Sequence, residues 1–343
     1  MKRRSFLSLG GRALAAGLIV PAGLVRPIAA TQSAGWSAAS SSSPPAAPAS
    51  GIDSSASPGA PASPDSAGIL PQAPDLVVAR GSAAKALRQG LDALGGLERF
   101  VHPGEVVVIK PNASFLSPPE WGATTDPAVL SALIAACLEA EARRILVVDH
   151  TLSPAERCFA RTGIGDAVAA FPKAKLVSLD AQRLYRDVPI PRGKALKRTE
   201  VAQAALRADV LINLPSAKSH SATGVSYGLK NLMGLVWDRQ TFHRDMDIHV
   251  GIADLATVIR PDLTILDAMT LLKTGGPEGP GEIEPFGGLV LGCDPVAVDA
   301  YAVGLCPWNH QTLAPAQVDY LRYAAEHGVG TLDLDSLVIQ EIA

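Results

Sequence analysis

The chain has 343 residues, 48% of them hydrophobic, with 30 Lys+Arg against 33 Asp+Glu and a formal net charge of −3. That balance lacks the basic footprint a nucleic-acid-binding domain needs, so no nucleic-acid partner is expected. The four cysteines, Cys137, Cys158, Cys293 and Cys306, form no CxxC pair, so no zinc-knuckle or ferredoxin-type cluster motif is present.

Residues 1–30 read "MKRRSFLSLGGRALAAGLIVPAGLVRPIAA". Lys2, Arg3 and Arg4 form a basic start, and Arg3-Arg4-Ser5-Phe6-Leu7 looks like the twin-arginine export signal. The apolar stretch from Ala13 to Val25 is shorter than the ~20 residues a membrane-spanning helix needs, and small residues near Ala29 and Ala30 suit cleavage. The expected partner in export is the twin-arginine translocase, and the expected location is periplasmic or otherwise extracytoplasmic. Residues 31–74 are dominated by Ser, Ala, Pro and Gly, with too little apolar surface to offset the entropy of ordering. They read as a disordered spacer. Without the first 30 residues the chain holds 25 basic and 33 acidic residues, a net charge of −8. Residues 75–343 remain, enough for a single large domain with a sizeable core.

Along that domain, short apolar runs alternate with helical patterns. "DLVVAR" (75–80), "EVVVIK" (105–110), "RILVVD" (144–149), "KLVSLD" (175–180), "ADVLINL" (208–214), "DLTILD" (262–267) and "GGLVLG" (287–292) predict strands. Residues 125–142 predict a helix capped by Asp126 with Pro127 in its first turn. Residues 201–207 and 252–260 predict further helices, the latter's pattern beginning near Ile248. Continuous β-branched runs separated by helices predict an α/β fold, a mostly parallel sheet with helices on both faces. In such sheets ligands collect beyond the carboxyl ends of the strands.

Polar groups concentrate at those ends. In "VVIKPNASF" (107–115), Pro111 turns the chain out of its strand and presents Lys110 and Asn112. A charged strand end with a turn asparagine is the plainer reading of that stretch alone. Asp149 and His150 end a second strand, and Asp267 a third. "LPSAKSHSATGVSYGLKNLMGL" (214–235) follows a fourth and carries Lys218, His220, Lys230 and Asn231 among small residues. If extended, Lys218 and His220 share a side. The helix start near Lys230 and Asn231 is expected to help hold an anion. In "FHRDMDIHVGIADL" (242–255), His243, Asp245, Asp247 and His249 alternate, so that a metal set of His243, Asp247 and His249 competes with a polar loop leading into a helix. Asp294-Pro295 predicts a helix cap, whereas Asp299, among apolar neighbours, needs a partner, for which a lysine is the expected choice. The Gly/Pro-rich run 274–288 reads as a lid or a solvated loop, and Cys293 with Cys306 is an open pairing.

"IKPN", "TDPAVL", the Lys-x-His and Leu-Lys-Asn-Leu-Met-Gly of 214–235, "IADL", "PDLTILDAM", "GGPEGPG" and "DPVAVDA" occur in the order of the family known as domain of unknown function 362, which the chain resembles over about 76–310. Many members of that family carry a ferredoxin-like iron–sulfur segment. The clustered cysteines are missing here, so the resemblance implies no cluster. The residues then predict an exported enzyme acting on a small anionic substrate, with His220, Lys218 and Lys230 as catalytic groups. His220 is the expected acid or base, because an unperturbed imidazole titrates near neutrality. Lys110, Asn112, Asn231, Asp267 and Asp299 are the expected ligand-binding set. The alternatives are a non-catalytic carrier of a divalent metal or cofactor, and a tethered interaction module.

Overall fold

The computed structural model describes residues 73–343. The expected export signal, and the expected spacer up to residue 72, lie outside the described residues. The strands in chain order are β1 (Leu76–Arg80), β2 (Val106–Pro111), β3 (Arg144–Asp149), β4 (Ala174–Ser178), β5 (Tyr185–Pro189), β6 (Arg198–Ala202), β7 (Val210–Leu214), β8 (Ser216–His220), β9 (Gly224–Ser226), β10 (Leu263–Leu272), β11 (Ile283–Glu284), β12 (Gly288–Gly292) and β13 (Ile339–Ile342). The main sheet runs in the order β13-β1-β12-β10-β7-β2-β3-β4.

Along that order all pairs are parallel except the two made by β12, which returns antiparallel beside β10 and β1. Neighbouring residues of one strand face opposite cores: Val107 and Ile109 enter one cluster and Val108 the other. The helices Ala83–Ala93, Pro127–Glu139 and Ile164–Ala169 cover the first face. Ile248–Ala256, Pro295–Val303 and Asp319–Glu326 cover the second. This double cover explains why the strands read as continuous apolar runs rather than alternating ones. The predicted caps form: Asp126 accepts from Ala128 N at 2.7 Å, and Asp294 from Val296 N and Ala297 N at 2.8 and 3.0 Å.

Residues 201–207 are not one helix. Val201 and Ala202 finish β6, which pairs with β5 in a separate two-stranded antiparallel sheet, and only Gln203–Leu206 is helical. Pairing with Tyr185 and Arg186 overrides the helical propensity of the alanines. All four cysteines are free; Cys293 is exposed while Cys306 is buried.

The feature that builds the site is a strand continuing past the sheet. β10 is ten residues long. Its first part pairs with β7, and its second with β8. Pro215 lies between β7 and β8 and has no N–H to give the ladder, but its carbonyl accepts from Asp267 N at 2.8 Å. The chain is thus carried along β10 beyond the carboxyl end of the sheet, with Lys218 and His220 on the extension.

Candidate functional site

Beneath the site lies a buried polar layer. Lys110, the residue before the last of β2, and Asp149, the last of β3, are both fully buried and 2.9 Å apart between Nζ and Oδ1. Asp149 also accepts from Ala113 N and His150 N, each at 2.8 Å, and from Ser114 Oγ at 3.3 Å. Asn231 locks the layer from above. Its Oδ1 accepts from Lys110 Nζ at 3.2 Å, and its Nδ2 donates to Lys110 O at 3.1 Å and to Asn213 Oδ1 at 2.8 Å. Burial pushes the Lys110 amine down from its usual range, and the Asp149 carboxylate opposes that. Lys110 therefore belongs under the site rather than in it.

Gly234 closes over this pair. A Cβ there would lie 2.4 Å from Asp149 Oδ1 and 2.5 Å from Lys110 Cε. Neither atom is free to retreat, because both are pinned by the bonds above. Gly234→Ala should therefore lower unfolding free energy by about 1–3 kcal/mol, as overpacked sites do. A urea melt indistinguishable from that of the unmutated chain would contradict this geometry.

Above the layer opens a cavity of about 370 Å³. Lys218 and His220 of β8 face it together, with Lys230, Asn231, Asn112, Phe115, Arg239 and His243. Pro277 of the Gly/Pro-rich loop closes one side. That loop is packed rather than free: Gly276 N donates to Ser219 Oγ at 3.0 Å, and Ser117 Oγ donates to Glu278 O at 2.6 Å.

The lining of this cavity holds two lysines, an arginine and two histidines, and no carboxylate. Lys218 is buried, and its Nζ donates to the Ala123 carbonyl and sits 4.6 Å from the centre of the Phe115 ring. Burial, and then the charge of Lys230, hold its amine well below the ordinary lysine range. Burial and the Arg239 guanidinium push Lys230 down to about 8. Asn112 is buried on the wall, and its Oδ1 has no hydrogen-bond partner. An unsatisfied amide in a cavity wall marks a place where the protein does not complete its own hydrogen bonding.

His220 differs from the sequence expectation. Its Nδ1 accepts from Ala222 N at 3.0 Å, which puts the ring proton on Nε2. Burial, with Lys230 and Lys218 nearby, holds it down at about 2. It stays neutral across ordinary pH and offers an N–H donor, not a near-neutral acid or base.

Three other expectations are redrawn. Asp267 does not line the cavity: it accepts from Asp126 N at 2.7 Å and Met269 N at 2.9 Å, tying β10 to a helix start. Asp299 pairs with backbone, not lysine, accepting from Gly228 N at 2.7 Å and Leu229 N at 2.9 Å. It thereby occupies the helix start beside Lys230 and Asn231, so those N–H groups are not free for an anion. Asp247 is the cap of Ile248–Ala256, accepting from His249 N at 2.9 Å, and His249 stacks on Tyr320. Only His243 of the expected metal set reaches the cavity, because a helix boundary at Asp247 breaks the assumed alternation. Among the described residues no group of three or more His, Cys, Asp or Glu could hold a metal ion. The free, dispersed cysteines do not fit an iron–sulfur cluster either.

The residue that sequence reasoning missed is Arg239. It sits in "WDRQT" with no motif around it, and only the turn after Leu235 swings it back to the cavity.

The model of the family described as "Domain of unknown function (DUF362)" matches residues 107–304. The chain is 28% identical to a thylakoid-associated protein of Synechocystis sp. over 226 residues, which is 64% of this chain and 68% of that protein. Among solved structures it is similar to the lactate racemase apoprotein from Thermoanaerobacterium thermosaccharolyticum. That likeness has a TM-score of 0.41 at 14% identity, and covers 56% of this chain and 49% of the other. Among the described residues no helix is long and apolar enough to cross a membrane.

Proposed function

Since the chain belongs to the domain of unknown function 362 family, whose name assigns no chemistry, we propose a function from the cavity itself: an enzyme acting on a small anionic substrate outside the cytoplasm. The observation that carries this is the concentration of Lys218, Lys230 and Arg239 on a wall with no carboxylate. Lys230 and Arg239 are cations drawn out of water without counter-ions, which is costly, and the same burial holds Lys218 beside them toward its neutral amine. A substrate carboxylate or phosphate offsets that cost on arrival, and in a low-dielectric cavity it is held more strongly than in water.

The roles divide by geometry. Arg239 presents a planar fork suited to a bidentate anion, and Lys230 adds a point charge. Asn112 and Asn231 supply amides for orientation. His220 donates through Nε2. Lys218 is the one lysine of the wall that combines full burial with the absence of an acid partner. It is the group to act as base or nucleophile. The export signal at 1–30 supports the extracytoplasmic location, with the twin-arginine translocase as the partner in transit. The name of the Synechocystis relative, which associates that protein with thylakoids, is compatible with it.

The test is calorimetric titration of the purified chain with oxalate and with inorganic phosphate between pH 6 and 9.5. Lys230 is charged below about 8, so affinity should be high at the acid end and fall as pH rises through that value. Flat, millimolar-or-weaker binding of both anions at every pH would sink the reading.

A further inference from the structure

Two lysines are fully buried among the described residues, Lys110 and Lys218, and only one of them has a counter-ion. Lys110 is held 2.9 Å from Asp149. Lys218 has a backbone carbonyl and an aromatic ring as its partners, and no acid. An anion-binding site does not require this difference, because a paired lysine on the wall would attract an anion less but would still be correctly placed. A lysine without a counter-ion, buried beside a phenylalanine and lining a cavity, is held toward the neutral amine that a nucleophile needs.

We propose that Lys218 forms an imine with a carbonyl group of the bound anion, which makes the substrate class a small oxo acid. The inference rests on the anion-site reading above and adds the carbonyl to it.

The step balances with groups on the page. The Lys218 Nζ lone pair attacks the carbonyl carbon, and the C=O electron pair moves onto oxygen. A proton passes from the new C–N nitrogen to that oxygen, giving a carbinolamine. The hydroxyl then leaves as water with one proton from the Lys230 ammonium, and the nitrogen lone pair forms the C=N bond. One carbonyl, one amine and one proton become one iminium ion and one water. No oxidant or reductant is needed. Lys230 suits the proton-donating role because burial and Arg239 place it near 8, close to working pH. The iminium formed is a cation at the place where the unliganded protein avoids one, and the acid group of the substrate balances it. His220, two residues on along the same face of β8, offers its Nε2 proton toward the developing alkoxide. Phe115 shields the nitrogen and keeps bulk water from the imine.

The experiment uses the unmutated protein first, so that folding of a variant is not at issue. The chain is incubated with glyoxylate, and separately with pyruvate, in the presence of sodium borohydride, and then digested and mapped by mass spectrometry. The expected result is a reduced adduct on the peptide containing Lys218, with Lys110 unlabelled, and suppression of the adduct by excess oxalate, an anion without a reactive carbonyl. Lys218→Arg removes the nucleophilic amine and should abolish the adduct. If oxalate binds but neither oxo acid labels Lys218, the imine is overturned and the anion site stands. If oxalate does not bind either, both readings fall. Labelling spread over surface lysines and indifferent to oxalate also overturns it.

Discussion

Asp149→Asn should cost this protein about 3–5 kcal/mol of unfolding free energy, the range for removing one partner of a buried ion pair. Both partners are fully buried, so water cannot take over the role of the lost carboxylate. The loss is wider than one contact. The Asp149 carboxylate accepts two backbone N–H groups and a hydroxyl besides the Lys110 ammonium. An asparagine amide can satisfy acceptor needs on only one side, and its NH₂ would confront N–H donors on the other. The Lys110 amine, already lowered by burial, would lose the group that opposes that lowering and would be lowered further in the folded state. Stability of the variant should therefore rise with pH more than that of the unmutated chain toward the unfolded lysine value, because there the unfolded state binds the extra proton. Urea unfolding at pH 7 and pH 9.5 reads both effects. A cost below about 1 kcal/mol at pH 7, the size of an ordinary surface pair, would mean that Asp149 and Lys110 do not share this buried geometry.

The fold was largely legible because its signals are local and redundant. Seven apolar runs, each rich in Val, Ile and Leu, coincide with strands, and Asp126-Pro127 and Asp294-Pro295 cap helices as their chemistry predicts. The site was legible in part. Lys218, His220, Lys230, Asn112 and Asn231 come to one cavity because strand-end polar residues in a parallel sheet have few other places to go. What sequence could not resolve was layering. Lys110 and Lys218 look alike as letters, but Asp149 stands beside only one of them, and that depends on β2 and β3 being neighbours. Asp299 looked like a partner for lysine because its helix is apolar. It serves instead the two N–H groups of Gly228 and Leu229, which no pattern announces. Arg239 was invisible for the opposite reason: an arginine in a polar loop is ordinary until tertiary structure turns it inward.

Lys230→Met should move stability and binding in opposite directions. Lys230 lines the cavity, and among the described residues the hydrogen-bond contact of its amine is a thioether, Met233 Sδ at 3.9 Å. Burial and Arg239 already oppose its charge in the folded state. Methionine keeps the length of the stem, packs beside Met233 and removes the charge. The unliganded protein should gain about 0.5–2 kcal/mol, as relieved functional sites commonly do. The gain has a pH window. Folded Lys230 titrates near 8 and an unfolded lysine near 10.5, so the unfolded state binds the extra proton between those values and the unmutated chain grows more stable across them. The advantage of the variant is therefore full below about 8 and shrinks toward 10.5. Oxalate affinity at pH 7 should fall by about 10- to 150-fold, the equivalent of roughly 1.5–3 kcal/mol for a lost charged hydrogen bond. Thermal melts with and without oxalate measure both effects on the same samples. A lysine that served only to solvate the protein surface would show neither the gain nor the loss. A lysine that served only to hold the fold would destabilise the unliganded protein when replaced. Only a charge kept at a cost to the fold, for a ligand that arrives later, gives a more stable protein that binds less.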